Sequence, residues 1–376
     1  VSDELRILDS LETVHPASWD ALAGRNPTVS HAFLDCLHAS GCASAKTGWA
    51  PRYLTLWNGP KLEGAVPLYV KSHSSGEYVF DWAWADAYER HGLEYYPKLL
   101  AAVPFTPAKG ARLLASSDAV RVRLARALLE TARASDVSSL HVLFPADADA
   151  QALRDAGMLE RSGVQFHWRN AGYASFEEFL AALSHDKRKK IRQERRRVAE
   201  AGVTLRRVTG REASEEDWDF FTSCYRRTYR EHRSTPYLTR EFFGMLARRM
   251  PDNILLVIAE HGGRRIAAAL DLFGEGALYG RYWGAIERVP GLHFEACYYQ
   301  ALEFCIERGI GLFEGGAQGE HKHARGFLPE PTRSFHWLAH PAFNRAVDEY
   351  LAREGAHIGE YLDELDERTP YRRSGG

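Results

Sequence analysis

The densest run of reactive side chains lies at 314–325, Glu314-Gly315-Gly316-Ala317-Gln318-Gly319-Glu320-His321-Lys322-His323-Ala324-Arg325. A carboxylate or imidazole can take up a proton, so Glu320 or His321 is a candidate base, directly or through water. Lys322 is a candidate clamp for a carboxylate or phosphate, and Gln318 a polar contact to substrate. The glycines let the backbone come close to a ligand. The plainer reading is a helix start with exposed charges. A second run, Arg288-Val289-Pro290-Gly291-Leu292-His293, stands between an aromatic strand pattern and a long helical pattern. Free N–H groups and the helix dipole favour anions at a turn that opens a helix. Pro290 removes one donor. The alternative is an ordinary strand-to-helix turn.

A third run, 187–197, holds eight basic residues in eleven positions. Lys187, Arg188 and Arg192 are its candidate phosphate contacts. The same run also reads as a solvated helix face, and it has no interleaved aromatics for base stacking. A fourth group is aromatic. Asp81 and Trp84 in the stretch 78–84, with Tyr95 and Tyr96 after it, are candidates for an acceptor pocket; Tyr282 and Trp283 are the second-half equivalents, and Arg281 beside them is a further candidate. Such aromatics also serve as core. The spacing His321-Lys322-His323, with His336 and His340 nearby, could attract zinc. However, His336 sits in Phe-His-Trp, and the same tripeptide recurs around His167, where no second histidine pair exists. His336 therefore reads as structural, and no metal is expected. G-x-S-x-G and G-x-G-x-x-G are both absent, so neither a serine-hydrolase elbow nor a dinucleotide loop is supported.

The elements that carry these residues come in two copies. Phe166-His167-Trp168 and Phe335-His336-Trp337 stand 169 residues apart, as do Gly157-Met158-Leu159 and Gly326-Phe327-Leu328. Upstream, Leu5-Arg6-Ile7-Leu8 leads to Trp19, and Leu205-Arg206-Arg207-Val208 leads to Trp218, 199 residues later. Between these markers each half reads as three antiparallel strands: 53–57, 65–71 and 78–84, then 254–260, 266–273 and 277–283. A helix, a strand and further α/β elements follow in each. The plan is a mixed α/β sheet with helices on both faces. The falling offset implies about thirty extra residues in the first half, expected after its aromatic strand, around 87–116. Between the copies, 175–202 reads as a helical arm: a capping box at Ser175–Glu178, an apolar stripe, and a basic face.

Composition fits this architecture. The 376 residues carry 48 Lys+Arg against 50 Asp+Glu, with 45% hydrophobic and 26% charged residues. Disordered, collagen-like and disulfide-scaffold classes are excluded, and the net charge of −2 gives no overall pull toward nucleic acid. Five cysteines without C-x-x-C spacing argue against a zinc ribbon or a secreted disulfide framework. No apolar run nears the ~18 residues of a membrane span. The start lacks a signal-peptide pattern. A cytoplasmic protein without integral membrane contact is expected.

The order of elements resembles a tandem GNAT acyltransferase fold, and more closely the FemAB-like group of peptidoglycan biosynthesis/recognition proteins, related to Fem-type peptidyltransferases. Three stretches carry the resemblance: 76–86 with Tyr95-Tyr96-Pro97-Lys98, 184–194, and 314–327. It implies a domain at 1–170 that is degenerate in donor binding, the arm at 171–202, and a donor-binding, catalytic domain at 203–376. It implies N-acyl transfer from acyl-CoA to an amine of an amino acid, peptide or cell-wall precursor. The superfamily's diphosphate loop is Arg/Gln-x-x-Gly-x-Gly/Ala. This sequence keeps Arg288 and Gly291, whereas His293 replaces the last small residue, and the resemblance makes Arg288, Gly291, Leu292 and His293 the candidate phosphate binders. That departure leaves an aminoacyl-tRNA donor as the alternative. A ligand-recognition module without chemistry is the third reading.

Overall fold

The computed structural model describes residues 3–317 and 319–372. Two compact units form, and each draws on two stretches of chain: Val1–Val164 with Pro331–Tyr361, and Gln165–Glu330 with Leu362–Gly376. The compact units are thus not the sequential blocks expected from a break at 170. Strand pairing gives the reason. The late strand, at 334–338, is antiparallel to Ser139–Leu143 in the first unit. The earlier one, at 167–169, is antiparallel to Leu312–Glu314 in the second.

In the first unit, Asp3–Leu8, Tyr53–Asn58, Lys61–Val66 and Leu114–Ala115 form a small antiparallel sheet. Proline at 67 has no N–H to give a ladder. Beyond it the chain continues as Leu68–Lys71, which pairs antiparallel with Lys98–Ala101. That strand runs parallel to Ser139–Leu143. The helix Asp118–Ala134 starts on a Ser117 cap and buries Leu124, Leu128 and Ala132. They join Leu54, Leu56, Leu140, Val142 and Phe335 in one core. Leu124 and Leu128 are one turn apart, so both face the sheet.

The stretch 78–84 is not the expected aromatic strand. Tyr78 takes a left-handed φ of 64°, and Trp82–Arg90 is a helix. The third strand is Lys98–Ala101. The extra residues therefore fall before the third strand, at 72–97, and not after it around 87–116. A tertiary contact overrides the local aromatic pattern here: Asp81 turns inward to the buried ammonium of Lys98.

In the second unit the order is Val203–Thr209, Ile254–His261, Arg264–Gly274, Ala277–Ala285, Leu312–Glu314 and then 167–169. The ladder is antiparallel except where Ala277–Ala285 and Leu312–Glu314 run parallel. Helix Glu215–Glu231, capped by Ser214, lies on this sheet. It packs so close that a Cβ on Gly284 would fall 2.1 Å from the Cys224 carbonyl oxygen. The arm 175–202 folds as two helices, Phe176–Ala182 and His185–Glu200. Ile191 and Val198 are buried, and Val198 packs on Leu292.

The repeated tripeptides hold equivalent registers. His336 is opposite His141 in the first unit, and His167 is opposite Glu314 in the second. All four side chains are buried.

Candidate active site

The parallel strands Ala277–Ala285 and Leu312–Glu314 pair only at 277–279 with 312–314. Past that point 280–283 and 315–317 line a cavity of about 260 Å³. The carboxyl ends of parallel strands are where α/β sheets form sites, because the diverging backbones leave a crevice there. The helix that follows runs from 292 to 308 and contains a π turn, Glu295–Tyr299. Such turns occur frequently at functional sites, and this one supplies Cys297 and Tyr298 to the wall.

His321 and Lys322 enter from the 3-10 turn Glu320–Arg325. His321 Nε2 lies 3.2 Å from the Tyr298 hydroxyl. Burial, then Lys322 and Arg325, lower the imidazole below its ordinary value, so it is a free base at neutral pH. Lys322 is 2% exposed, and its Nζ donates to the Gly316 carbonyl at 3.0 Å. Burial brings its ammonium down to about 8. Arg325 fixes this turn. It donates to the His321 carbonyl (2.6 Å), the Tyr299 hydroxyl (3.0 Å) and the Glu194 carboxylate (2.7 Å), and stacks over Phe294. Glu194 belongs to the basic arm. Arg195, beside it, pairs with Glu295 and Glu303.

Asp271 is the residue that sequence reasoning missed. It lines the same cavity, is 2% exposed, and leaves Oδ2 buried without a hydrogen-bond partner. Burial pushes its carboxyl well above the usual range, which favours the protonated form. A signal was available: Asp271 is the lone acid in the apolar run 266–273. The strand register shifts beside it, between Leu270 and Asp271, as bulges do where a side chain is re-aimed.

A second cavity, about 430 Å³, lies at the Arg288 turn and shares Trp283 and His293 with the first. Arg288, Val289, Pro290 and Leu292 line it, with Glu231 and Glu287. Both carboxylates are paired, Glu231 with Arg227 and Glu287 with His261. Gly291 opens the helix at φ 88°, and a Cβ there would come within 3.2 Å of the Glu194 carbonyl oxygen. Burial lowers His293 to about 4, so it is neutral.

The structure thus gathers Arg281, Trp283, His293, His321 and Lys322 in one cavity, and Arg288, Leu292 and His293 in the adjoining one, with Gly291 at its turn. Glu320 is exposed and lines neither. Lys187, Arg188 and Arg192 lie on helix His185–Glu200, and they too line neither. Arg192 pairs with Glu177 at the surface. Gln318 lies outside the described residues. The aromatic candidates fall in the first unit, around a buried charge network. Lys98 there bonds Glu77 (2.8 Å), Ser74 (2.8 Å) and Asp81. Tyr95 donates to Asp81 (2.7 Å), Tyr96 meets Ser74 (2.8 Å), and Trp84 packs edge-on to His336. Among the described residues, no group of three or more His, Cys, Asp or Glu is arranged to hold a metal ion. No described helix is long and apolar enough to cross a membrane.

Residues 10–373 match the FemAB-like family, described as peptidoglycan biosynthesis/recognition. The chain belongs to the FemAB-like family. Among solved structures it is similar to FemX over 92% of this chain and 100% of that one, at 11% identity and a TM-score of 0.56. It is also similar to L-PGS from Bacillus licheniformis over 96% and 98%, at 12% identity and a TM-score of 0.54. At these identities the likeness is one of fold. No curated protein sequence matches significantly. The fold is mixed α/β, and the likeness to FemX is a likeness of fold.

Proposed function

We propose that this protein is an N-acyltransferase that moves an acyl group from coenzyme A to an amine, with the chemistry in the second unit. The observation that carries this reading is the pair of adjoining cavities sharing Trp283 and His293. One holds proton-transfer groups, and the other holds an Arg-x-x-Gly turn at a helix start. We read the two units as tandem GNAT-like domains, the first without a donor turn. The amine of an amino acid, peptide or cell-wall precursor attacks the thioester carbonyl. A C–N bond forms, the C–S bond breaks, and coenzyme A leaves as the thiol. His321 is placed to take the amine proton, its ring held by Tyr298. Protonated Asp271 is a candidate donor of a proton to the leaving sulfur. Lys322 is placed to hold an anionic group of the substrate. Arg288 and the turn at Gly291 are the binding groups for the donor's diphosphate, and the cofactor's part is to present the activated acyl group.

The basic arm favours a second reading, transfer from aminoacyl-tRNA. The arm's backbone lies against the Gly291 turn, and Lys189, Lys190, Arg196 and Arg197 are exposed on it. An exposed basic face beside the donor turn suits a polyanionic donor of either kind. Thiol release from an acyl-CoA series over a panel of amines tests the first reading, with aminoacyl-tRNA run in parallel. Arg288→Ala should raise the KM for acyl-CoA about tenfold. Turnover with aminoacyl-tRNA alone would replace the first reading by the second. Ligand binding without turnover by either donor would leave the recognition module.

A further inference from the structure

The largest of the cavities described in the second unit belongs to neither part of the proposed reaction. Helix Glu215–Glu231 presents Thr222, Ser223, Arg226 and Arg230 to an open cavity of about 520 Å³, and Pro236 and Arg240 face them. Positions 222, 223, 226 and 230 fall on one side of a helix. Thr228 and Glu231, on another side, line the Arg288 cavity. The two cavities share no lining residue.

The charges are arranged unevenly. Arg240 is paired with Asp219 and Glu215, and Arg227 with Glu231. Arg226 and Arg230 have no acidic partner among the described residues, although they stand one helical turn apart, where like charges repel. A helix C-terminus welcomes a cation, which accounts for Arg230 but not for its convergence with Arg226 and with Arg240 of a separate helix. Asp219, the one acid among the residues lining this cavity, is taken up by Arg240, so Arg226 and Arg230 leave two unpaired positive charges on the wall.

We propose that this cavity binds a phosphate-bearing small molecule. A phosphate dianion matches the surplus charge, and guanidinium forks engage phosphate oxygens two at a time. The Ser223 hydroxyl adds a donor. Thr222 already donates to the Trp218 carbonyl at 2.8 Å, so its oxygen is left as an acceptor for a ligand hydroxyl. A single carboxylate would leave one arginine uncompensated. The volume exceeds a bare phosphate group, so the ligand has a body beyond it.

The test is calorimetric titration of the full chain with inorganic pyrophosphate, with citrate as the carboxylate control. Pyrophosphate should bind at least tenfold more tightly than citrate. Arg226→Ala with Arg230→Ala should weaken it at least tenfold, while the far-UV spectrum and melting temperature stay unchanged, since both side chains are exposed. Arg227→Ala should leave it unaltered, and the titrations are run in the Arg288→Ala background, which removes any pyrophosphate bound at the donor turn. The proposal is overturned by any of three results: no pyrophosphate binding in that background, binding that survives the double variant, or citrate bound as tightly.

Discussion

At the scale of single residues, the cavity between the diverging strands depends on groups whose protonation is set by burial. Lys322 loses its proton near pH 8. If its cation holds substrate, kcat/KM should fall above pH 8, and Lys322→Met should abolish that alkaline limb while lowering kcat/KM at least tenfold. A pH–rate profile of both proteins checks this. Asp271→Asn keeps the shape but removes the transferable proton. It should cost about 10²-fold in kcat, the usual worth of one positioned acid, with little change in KM or melting temperature. Glu194 has a different task. It is the only carboxylate bonded to buried Arg325 among the described residues, so Glu194→Gln leaves a guanidinium short of its counter-charge. Loss of one partner of such a pair costs about 3–5 kcal/mol, and urea unfolding should show it. Sequence reasoning reached Lys322 and His321 because polar residues crowd there. It missed Asp271 because one acid in an apolar strand carries no motif. It selected Glu320, whose side chain faces solvent, because local spacing does not report which way a short 3-10 turn points.

At the scale of elements, the strands, the helices and the capped arm were legible from periodicity and caps: 120–133, 139–144, 254–260 and 277–283 all appear near their expected limits. The stretch 78–84 was not, since its aromatic alternation reads as strand while a long-range ion pair decides its course. That ion pair belongs to a network with a pH signature. Burial lowers His141 to about 3 and pushes His336 far below its ordinary value. In the unfolded chain both take a proton near pH 6.5, so the unfolded state binds more protons between these values. Stability therefore falls as pH drops below 6.5, by up to about 1.4 kcal/mol per pH unit for each histidine. The depressed carboxyl of Asp81 acts in the same direction at lower pH, whereas Glu77, raised by burial to about 7, acts in the opposite direction between pH 7 and 5 and offsets about one histidine, so the net fall comes from the other. Urea titrations at pH 7, 6 and 5 should show the slope, and His141→Gln should flatten it. Lys98→Met should destabilise by about 3–5 kcal/mol, because Asp81 stays buried without its ammonium partner and Glu77 keeps only Lys71, at 3.9 Å.

At the scale of the whole molecule, the repeated tripeptides pointed to two copies of one plan, and each tripeptide lies on a strand paired within a different compact unit, His336 opposite His141 and His167 opposite Glu314. What the sequence could not disclose is which copy each tripeptide completes, because a strand's partner is chosen by geometry and not by distance along the chain. The first unit takes its final strand and the start of its last helix from 331–361. Fragments 1–170 and 171–376, expressed separately, should each be insoluble or unfolded, each lacking a strand held on the other piece. Mixed during refolding, they should recover cooperative melting. The same arrangement governs biogenesis. A ribosome releases the first 164 residues long before it releases 331–361. The emerging segment then waits with Leu140 and Val142 uncovered on an open sheet edge, a template for stray pairing. Translation of the intervening residues sets the length of that exposure, so a chaperone that shields nascent chains should raise the soluble yield of this protein more than that of one whose domains close in sequence.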